Sequence, residues 1–162
     1  MVDRSGRGPT ATPVRMMIAT MSVPIPVTRL PVLRPVPIFR GLSKGTLLEV
    51  ARRSVEVSYP PGATVVKQGD PGDTLCIVAK GTLEVYLDDR VVRQLTAGDY
   101  FGEISLIDGE PRTATVVTVD NVELLQLNSS DFDSLLTIPY VARVVMANLA
   151  HLLREALETY CP

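Results

Sequence analysis

The stretch from Tyr59 to Leu87, YPPGATVVKQGDPGDTLCIVAKGTLEVYL, decides the fold. Three short apolar runs lie in it: ATVVKQ, TLCIVA and TLEVYL. They are separated by GDPGD and by Lys80-Gly81. Runs this short, rich in Val, Thr and Leu and bounded by Gly, Pro and Asp, read as β-strands joined by tight turns. The pattern extends in both directions. SVEVSY precedes it and stops at Pro60-Pro61-Gly62, and VVRQL follows Asp88-Asp89 and stops at Ala97-Gly98-Asp99. Further on, TATVVTV turns at Asp120-Asn121 into VELLQL. Short strands at such even spacing predict an antiparallel barrel or jelly roll rather than βαβ units.

Helical signals flank the strands. Ser43 is a good N-cap for KGTLLEVARR, in which Leu47, Leu48, Val50 and Ala51 suit a short helix. Ser129, Ser130 and Asp131 read as the cap of a second, and Pro139 begins a third. In that last helix Val141, Val144, Val145, Leu149, Leu152, Leu153 and Ala156 fall at i, i+3, i+4, i+7 spacing. The expected fold class is mainly β: an antiparallel β-roll with an N-terminal helix and two C-terminal helices.

Seven of the 13 prolines fall within residues 1–39. Proline fixes φ and lacks a donor, so neither helix nor central strand is expected there. Residues 1–34 read as a proline-rich basic linker or disordered arm. An apolar segment follows Arg15, but Pro24 and Pro26 break it, which disfavours a signal peptide. Residues 1–40 carry six arginines against Asp3, whereas residues 41–162 carry ten Lys and Arg against 17 Asp and Glu. The net charge of −2 argues against a nucleic-acid binder working through bulk electrostatics. Cys76 and Cys161 form no CxxC pair, so neither a disulfide framework nor a zinc site is expected, and the cytoplasm is the expected compartment. No apolar run reaches the ~20 residues of a membrane span.

One segment sets charge beside the core. In FGEISLIDGEPRTATV, Phe101–Val116, Glu103 and Arg112 flank a short apolar turn that leads into a strand. Gly102 permits a tight turn, and free backbone N–H groups near Ile104 and Ser105 suit an anion. Arg112 presents a planar fork matched to a phosphate, and Glu103 can accept hydrogen bonds from a sugar hydroxyl. Thr113 adds a small hydroxyl beside them. Two plainer readings share the pattern: Glu103 as a helix-dipole partner, and Arg112 as a surface residue paired with Asp108 or Glu110.

The segment resembles the phosphate-binding cassette of cyclic nucleotide-binding domains, FGE-(hydrophobic)-(small)-L followed by PR-(small)-A-(small)-V. Phe101, Gly102, Glu103, Ile104, Ser105, Leu106, Pro111, Arg112, Thr113, Ala114, Thr115 and Val116 supply each element. PIFRGLS at Pro37–Ser43 looks like the family's entry to its first helix, and the strands from Tyr59 look like its early strands. The last two helices look like its hinge and lid, so the resemblance spans about residues 35–160, within a domain set at 35–162. It implies that Arg112 binds the cyclic phosphate and Glu103 the ribose 2′-hydroxyl. Gly102, Ile104 and Ser105 would complete the cradle, with Thr113 beside it. A hydroxyl at Thr113 is often linked to cGMP, yet many cAMP binders carry it, and cAMP is the favoured ligand. Cys76 stands where the family often has an aromatic and is expected to be a packing variation. His151, Leu152 and Arg154 are lid candidates for the base. The resemblance implies a regulatory sensor, with an effector domain of a longer parent protein or a dimer partner through the last helix.

Catalysis is not expected. His151 is the single histidine, and no nucleophile–base set accompanies it. The same scarcity excludes a multi-histidine metal site on a jelly roll. The competing class is an interaction or oligomerisation module of the same fold that binds no nucleotide.

Overall fold

The computed structural model describes residues 26–160. Helix α1 (Leu30–Leu33) and α2 (Lys44–Arg53) precede strands β1 (Val55–Tyr59), β2 (Thr64–Val66), β3 (Thr74–Lys80), β4 (Leu83–Leu87), β5 (Arg90–Leu95) and β6 (Tyr100–Phe101). Then come α3 (Glu103–Asp108), β7 (Thr115–Thr118), β8 (Val122–Asn128), α4 (Ser129–Leu136) and α5 (Pro139–Tyr160). The strands form two antiparallel sheets, ordered β1-β8-β3-β6 and β2-β7-β4-β5. This is the β-roll with flanking helices read from the turns. The two-residue β6, which pairs Tyr100 with Ile77 and Phe101 with Cys76, carries too short a signal to be read.

The two sheets differ because their strands differ in pattern. Successive strand residues face opposite sides. In β3 and β8 both sides are apolar, which marks burial on both faces. Leu75, Ile77, Leu125 and Leu127 pack outward against α2, α4 and α5 with Phe39, Val50, Phe132 and Val145. Cys76, Val78, Val122 and Leu124 point into the roll, against Leu83, Leu95, Phe101 and Val116. In strand β5 each side mixes apolar with polar residues, so only Leu95 is buried, and Val91 and Val92 are exposed.

The proline-rich segment corrects the expectation that it holds no helix. Pro26–Arg29 and Pro37–Phe39 are 3₁₀ turns and Leu30–Leu33 is one α-turn. Each piece is a single turn, so Pro31 and Pro37 sit at first-turn positions whose N–H would have no partner in any case. Leu30, Leu33, Val36, Ile38 and Phe39 are buried in the core. Arg29 locks the segment down, donating from Nη1 to the carbonyls of Ala51 (2.8 Å) and Ser54 at the end of α2. A boundary after residue 34 therefore falls inside the packed unit. The part of the expected arm before residue 26 lies outside the described residues.

The caps are local chemistry. Ser43 Oγ accepts from the Thr46 amide at 3.2 Å, as expected. At α4 the cap is Asn128, one residue ahead of the expected serines: its Oδ1 accepts from the Asp131 amide at 2.9 Å. Asn competes equally with Ser at this position. Asp131 is then free to hold Arg53 at 2.8 Å. Helices α4 and α5 meet at a 104° bend, where Pro139 opens α5. No single helix among the described residues is long and apolar enough to cross a membrane.

Candidate ligand-binding site

The site starts from two glycines. Gly102 has φ 95°, and a side chain there would meet the Thr74 carbonyl at 2.7 Å and the Arg112 Nη1 at 2.6 Å. Only glycine lets β6 turn so sharply into α3 while its carbonyl stays close to the arginine. The second is Gly72, inside the GDPGD turn. A Cβ on it would lie 2.1 Å from Arg112 Nε and 2.3 Å from Cζ. The turn between β2 and β3 is thus the bed on which the guanidinium lies. It also grips the Arg112 backbone: the Arg112 amide donates to Asp70 O and the Gly69 amide donates to Arg112 O, both at 2.8 Å.

Arg112 is only 6% exposed. Its Nη1 donates to Gly102 O and its Nη2 to Thr74 O, both at 2.9 Å. The surface pairing with Asp108 or Glu110 does not occur: Asp108 Oδ1 instead accepts from the Glu110 amide at 2.9 Å. Among the described residues no carboxylate lies within ion-pair distance of Arg112. A buried guanidinium held by carbonyl oxygens, with no counter-ion among the described residues, favours an anion beside it.

Glu103 is equally buried. Burial pushes its carboxyl above the ordinary range, while its own amide and the charges of Arg93 and Arg112 pull it partly back. Tyr100 precedes the cassette, and burial drives its phenol up to about 12; the Asn148 bond eases this and the Glu103 charge adds to it. Beneath the site, burial pushes the Cys76 thiol up to about 11, against the pull of Arg112. Such a thiol is a packing group and not a nucleophile.

These groups open on one cavity of about 490 Å³. Gly102, Glu103, Ile104, Ser105, Arg112 and Thr113 all line it. Val85, Leu87 and Val92 supply an apolar wall, and Arg93 a cation beside Glu103. From α5 come Leu152, Glu155, Ala156 and Thr159. Of the three lid candidates only Leu152 reaches the cavity. His151 is exposed outside the lining and pairs with Glu155 at 3.0 Å, and Arg154 is likewise exposed outside it. The helical period explains the change: positions three, four and seven beyond Leu152 share its face, and those one before or two after do not. Arg93 was hidden in a run read only as a strand. Its signal was a charged residue within VVRQL, and its place on the same cavity as Glu103 depends on how the two sheets close the roll.

The fold is a β-roll whose cavity brings a buried guanidinium and a buried carboxylate together against an apolar wall. The family model described as cyclic nucleotide-binding domain matches residues 56–138, just over half of the chain. The chain belongs to the cyclic nucleotide-binding domain family. It is 40% identical over 100 residues to a cyclic nucleotide-gated potassium channel of Mesorhizobium japonicum, covering 62% of this chain and 28% of the channel. It is 35% identical over 106 residues to a cAMP-dependent protein kinase regulatory subunit of Colletotrichum orbiculare, covering 64% and 27%. The chain thus spans less than a third of the length of these relatives. Among solved structures, cAMP-bound PfPKA-R superposes with a TM-score of 0.78 at 26% identity, covering 84% of this chain and 47% of that one.

Proposed function

We propose that the cavity binds a cyclic nucleotide, with cAMP favoured over cGMP, and that the domain is a regulatory sensor rather than an enzyme. One observation carries this reading: buried Arg112, without a carboxylate partner among the described residues, and buried Glu103 open onto the same cavity of about 490 Å³. A cyclic phosphate fused to a ribose presents an anion and a hydroxyl on one rigid frame. Arg112 would hold the equatorial oxygens by charge-assisted hydrogen bonds, and Glu103 would accept from the 2′-hydroxyl. Gly102 and the backbone at Ile104 and Ser105 would complete the cradle. The base would lie along the apolar wall of Val85, Leu87 and Val92 under Leu152 of α5. Glu103, raised by burial, gains a hydrogen-bond donor when the sugar arrives, which favours its ionised form and strengthens the contact.

Ligand shifts an open–closed equilibrium of α5 only by its differential affinity for the two states. Leu152, Ala156 and Thr159 are the residues through which closure would be felt. The regulated partner is an effector domain of a longer parent protein, with the domain in the cytoplasm or on the cytoplasmic side of a membrane protein. The cAMP preference draws on the cAMP named for PfPKA-R and the kinase subunit. The Thr113 hydroxyl in the cavity favours cGMP as the alternative, since it can meet a guanine amino group.

Calorimetric titration of the nucleotide-stripped chain with cAMP and then cGMP tests the proposal. Saturable one-to-one binding is expected, and the ratio of affinities assigns the base. Silence with both on a folded sample overturns the sensor and leaves an interaction module. That second reading is favoured by Met146, Leu153 and Leu157, an exposed apolar line on α5 that suits a dimer partner.

A further inference from the structure

Helix α5 changes character at Asn148. Before it, Val141 and Val145 are buried, and Val144 packs against the core. After Leu149, only Leu152 is even half-buried up to Thr159. The distal half leans on the cavity and is otherwise surrounded by solvent.

At the change-over, Asn148 Nδ2 donates to the Tyr100 hydroxyl at 2.6 Å. Among the described residues this is the one side-chain hydrogen bond between α5 and a strand. Tyr100 is nearly fully buried, its ring packed with the helices, and its backbone continues through Phe101 into Gly102 and Glu103. The phenol also lines the ligand cavity and feels the Glu103 charge. One short, part-buried bond therefore joins the first residue before the cassette to the last tightly packed turn of the helix. The buried hydroxyl and the part-buried amide both lose when left unpaired, so the two stay together or the helix moves away and lets water in.

We propose that Asn148 and Tyr100 form a clasp that holds the distal half of α5 over the cavity and couples it to the cassette. Both are positioning residues. The clasp fixes the rotation of α5, so that Leu152, Ala156 and Thr159 face the ligand. Without it the segment 150–159 keeps only its contacts along the cavity rim and opens more often. The coupling runs through a discrete element with two arrangements, clasp closed and clasp open. Its effect on ligand affinity rests on the sensor reading given above, while its effect on the free helix does not.

The test uses the full chain with Tyr100→Phe, which deletes one hydroxyl, Asn148→Leu, which keeps the volume, and the double variant. Hydrogen exchange of α5 is read without ligand, and cAMP and cGMP affinities are read by calorimetry. Each single change is expected to speed exchange about tenfold or more in residues 150–159 while 141–147 keep their protection. Each is also expected to weaken nucleotide binding about tenfold, and the double variant to be no worse than either single, because one interaction is removed once. Wild-type binding with unchanged exchange and affinity in both single variants overturns the clasp and leaves the sensor standing. So does exchange that rises evenly along α5, the mark of a general loss of stability. Accelerated exchange at 150–159 in a chain that binds neither nucleotide supports the clasp and overturns the sensor.

Discussion

The cassette and the distal half of α5 face each other across one cavity, yet they are built on opposite terms. Arg112 is held at backbone and side chain by the Gly69–Thr74 segment and by Gly102. Segment 150–159 is a solvated helix that touches the cavity along one line, Leu152, Glu155, Ala156 and Thr159. The difference teaches where rigidity is useful. A charged contact gains most when its donors are fixed before the ligand arrives. A reporter element must instead have a second arrangement within a few kcal/mol, so it is drawn from the less stable part of a fold.

The sharpest way to break this comparison is Arg112→Ala. Cyclic nucleotide affinity should fall by roughly 2–5 kcal/mol, measured by calorimetry, because a desolvated anion loses its charged partner. An unchanged affinity would sink the assignment.

Gly72→Ala comes next. The new methyl collides with the guanidinium and would push it off the Gly102 and Thr74 carbonyls, so affinity should drop about tenfold or more and stability by about 1–3 kcal/mol. In the Arg112→Ala background most of that stability loss should vanish, since the obstacle is gone. Thermal unfolding of the four proteins provides the cycle. Strict additivity would mean that Gly72 serves the turn alone.

Glu103→Gln separates binding from folding. Burial raises the folded-state carboxyl, so the folded chain holds its proton more tightly than the unfolded chain. The stability tied to that proton is complete at low pH and is lost as pH rises from the ordinary carboxylate range through the raised value. Near neutral pH the variant should therefore melt above the parent, each kcal/mol appearing as about 2–4 °C, and the gap should close on acidification. Its nucleotide affinity should fall at the same time. A lower melting temperature at neutral pH would contradict the burial argument.

The smallest effects belong to α5. Leu152→Ala should weaken binding several-fold with a stability change under about 1 kcal/mol, whereas His151→Ala and Arg154→Ala should leave both within about 0.5 kcal/mol. Titration of the three variants checks the order, and a loss at Arg154 larger than that at Leu152 would return the arginine to the lid.

Much of this was legible from the chain alone, and particular residues show why. The runs around GDPGD and Lys80-Gly81 announced strands because alternation and turn chemistry act over a few residues. The six ligand-binding candidates lie within one short segment, residues 102–113, and line one cavity. The prolines misled in Pro26–Phe39 because a rule about helix interiors was applied to single turns, where proline is tolerated. Asn128 was passed over because two serines beside it satisfy the same capping rule.

What the sequence by itself determined is the local grammar: strands, turns, caps, the cassette and the charges in it. What only the tertiary structure decided is which separate pieces meet. Gly72 under Arg112, Arg93 beside Glu103, Asn148 on Tyr100 and the choice of Leu152 over Arg154 each join residues from different elements. Periodicity and capping depend on neighbours a few positions away. Such meetings depend on how whole sheets and helices pack, and a buried charge or hydroxyl acquires its role only from the partners that packing brings.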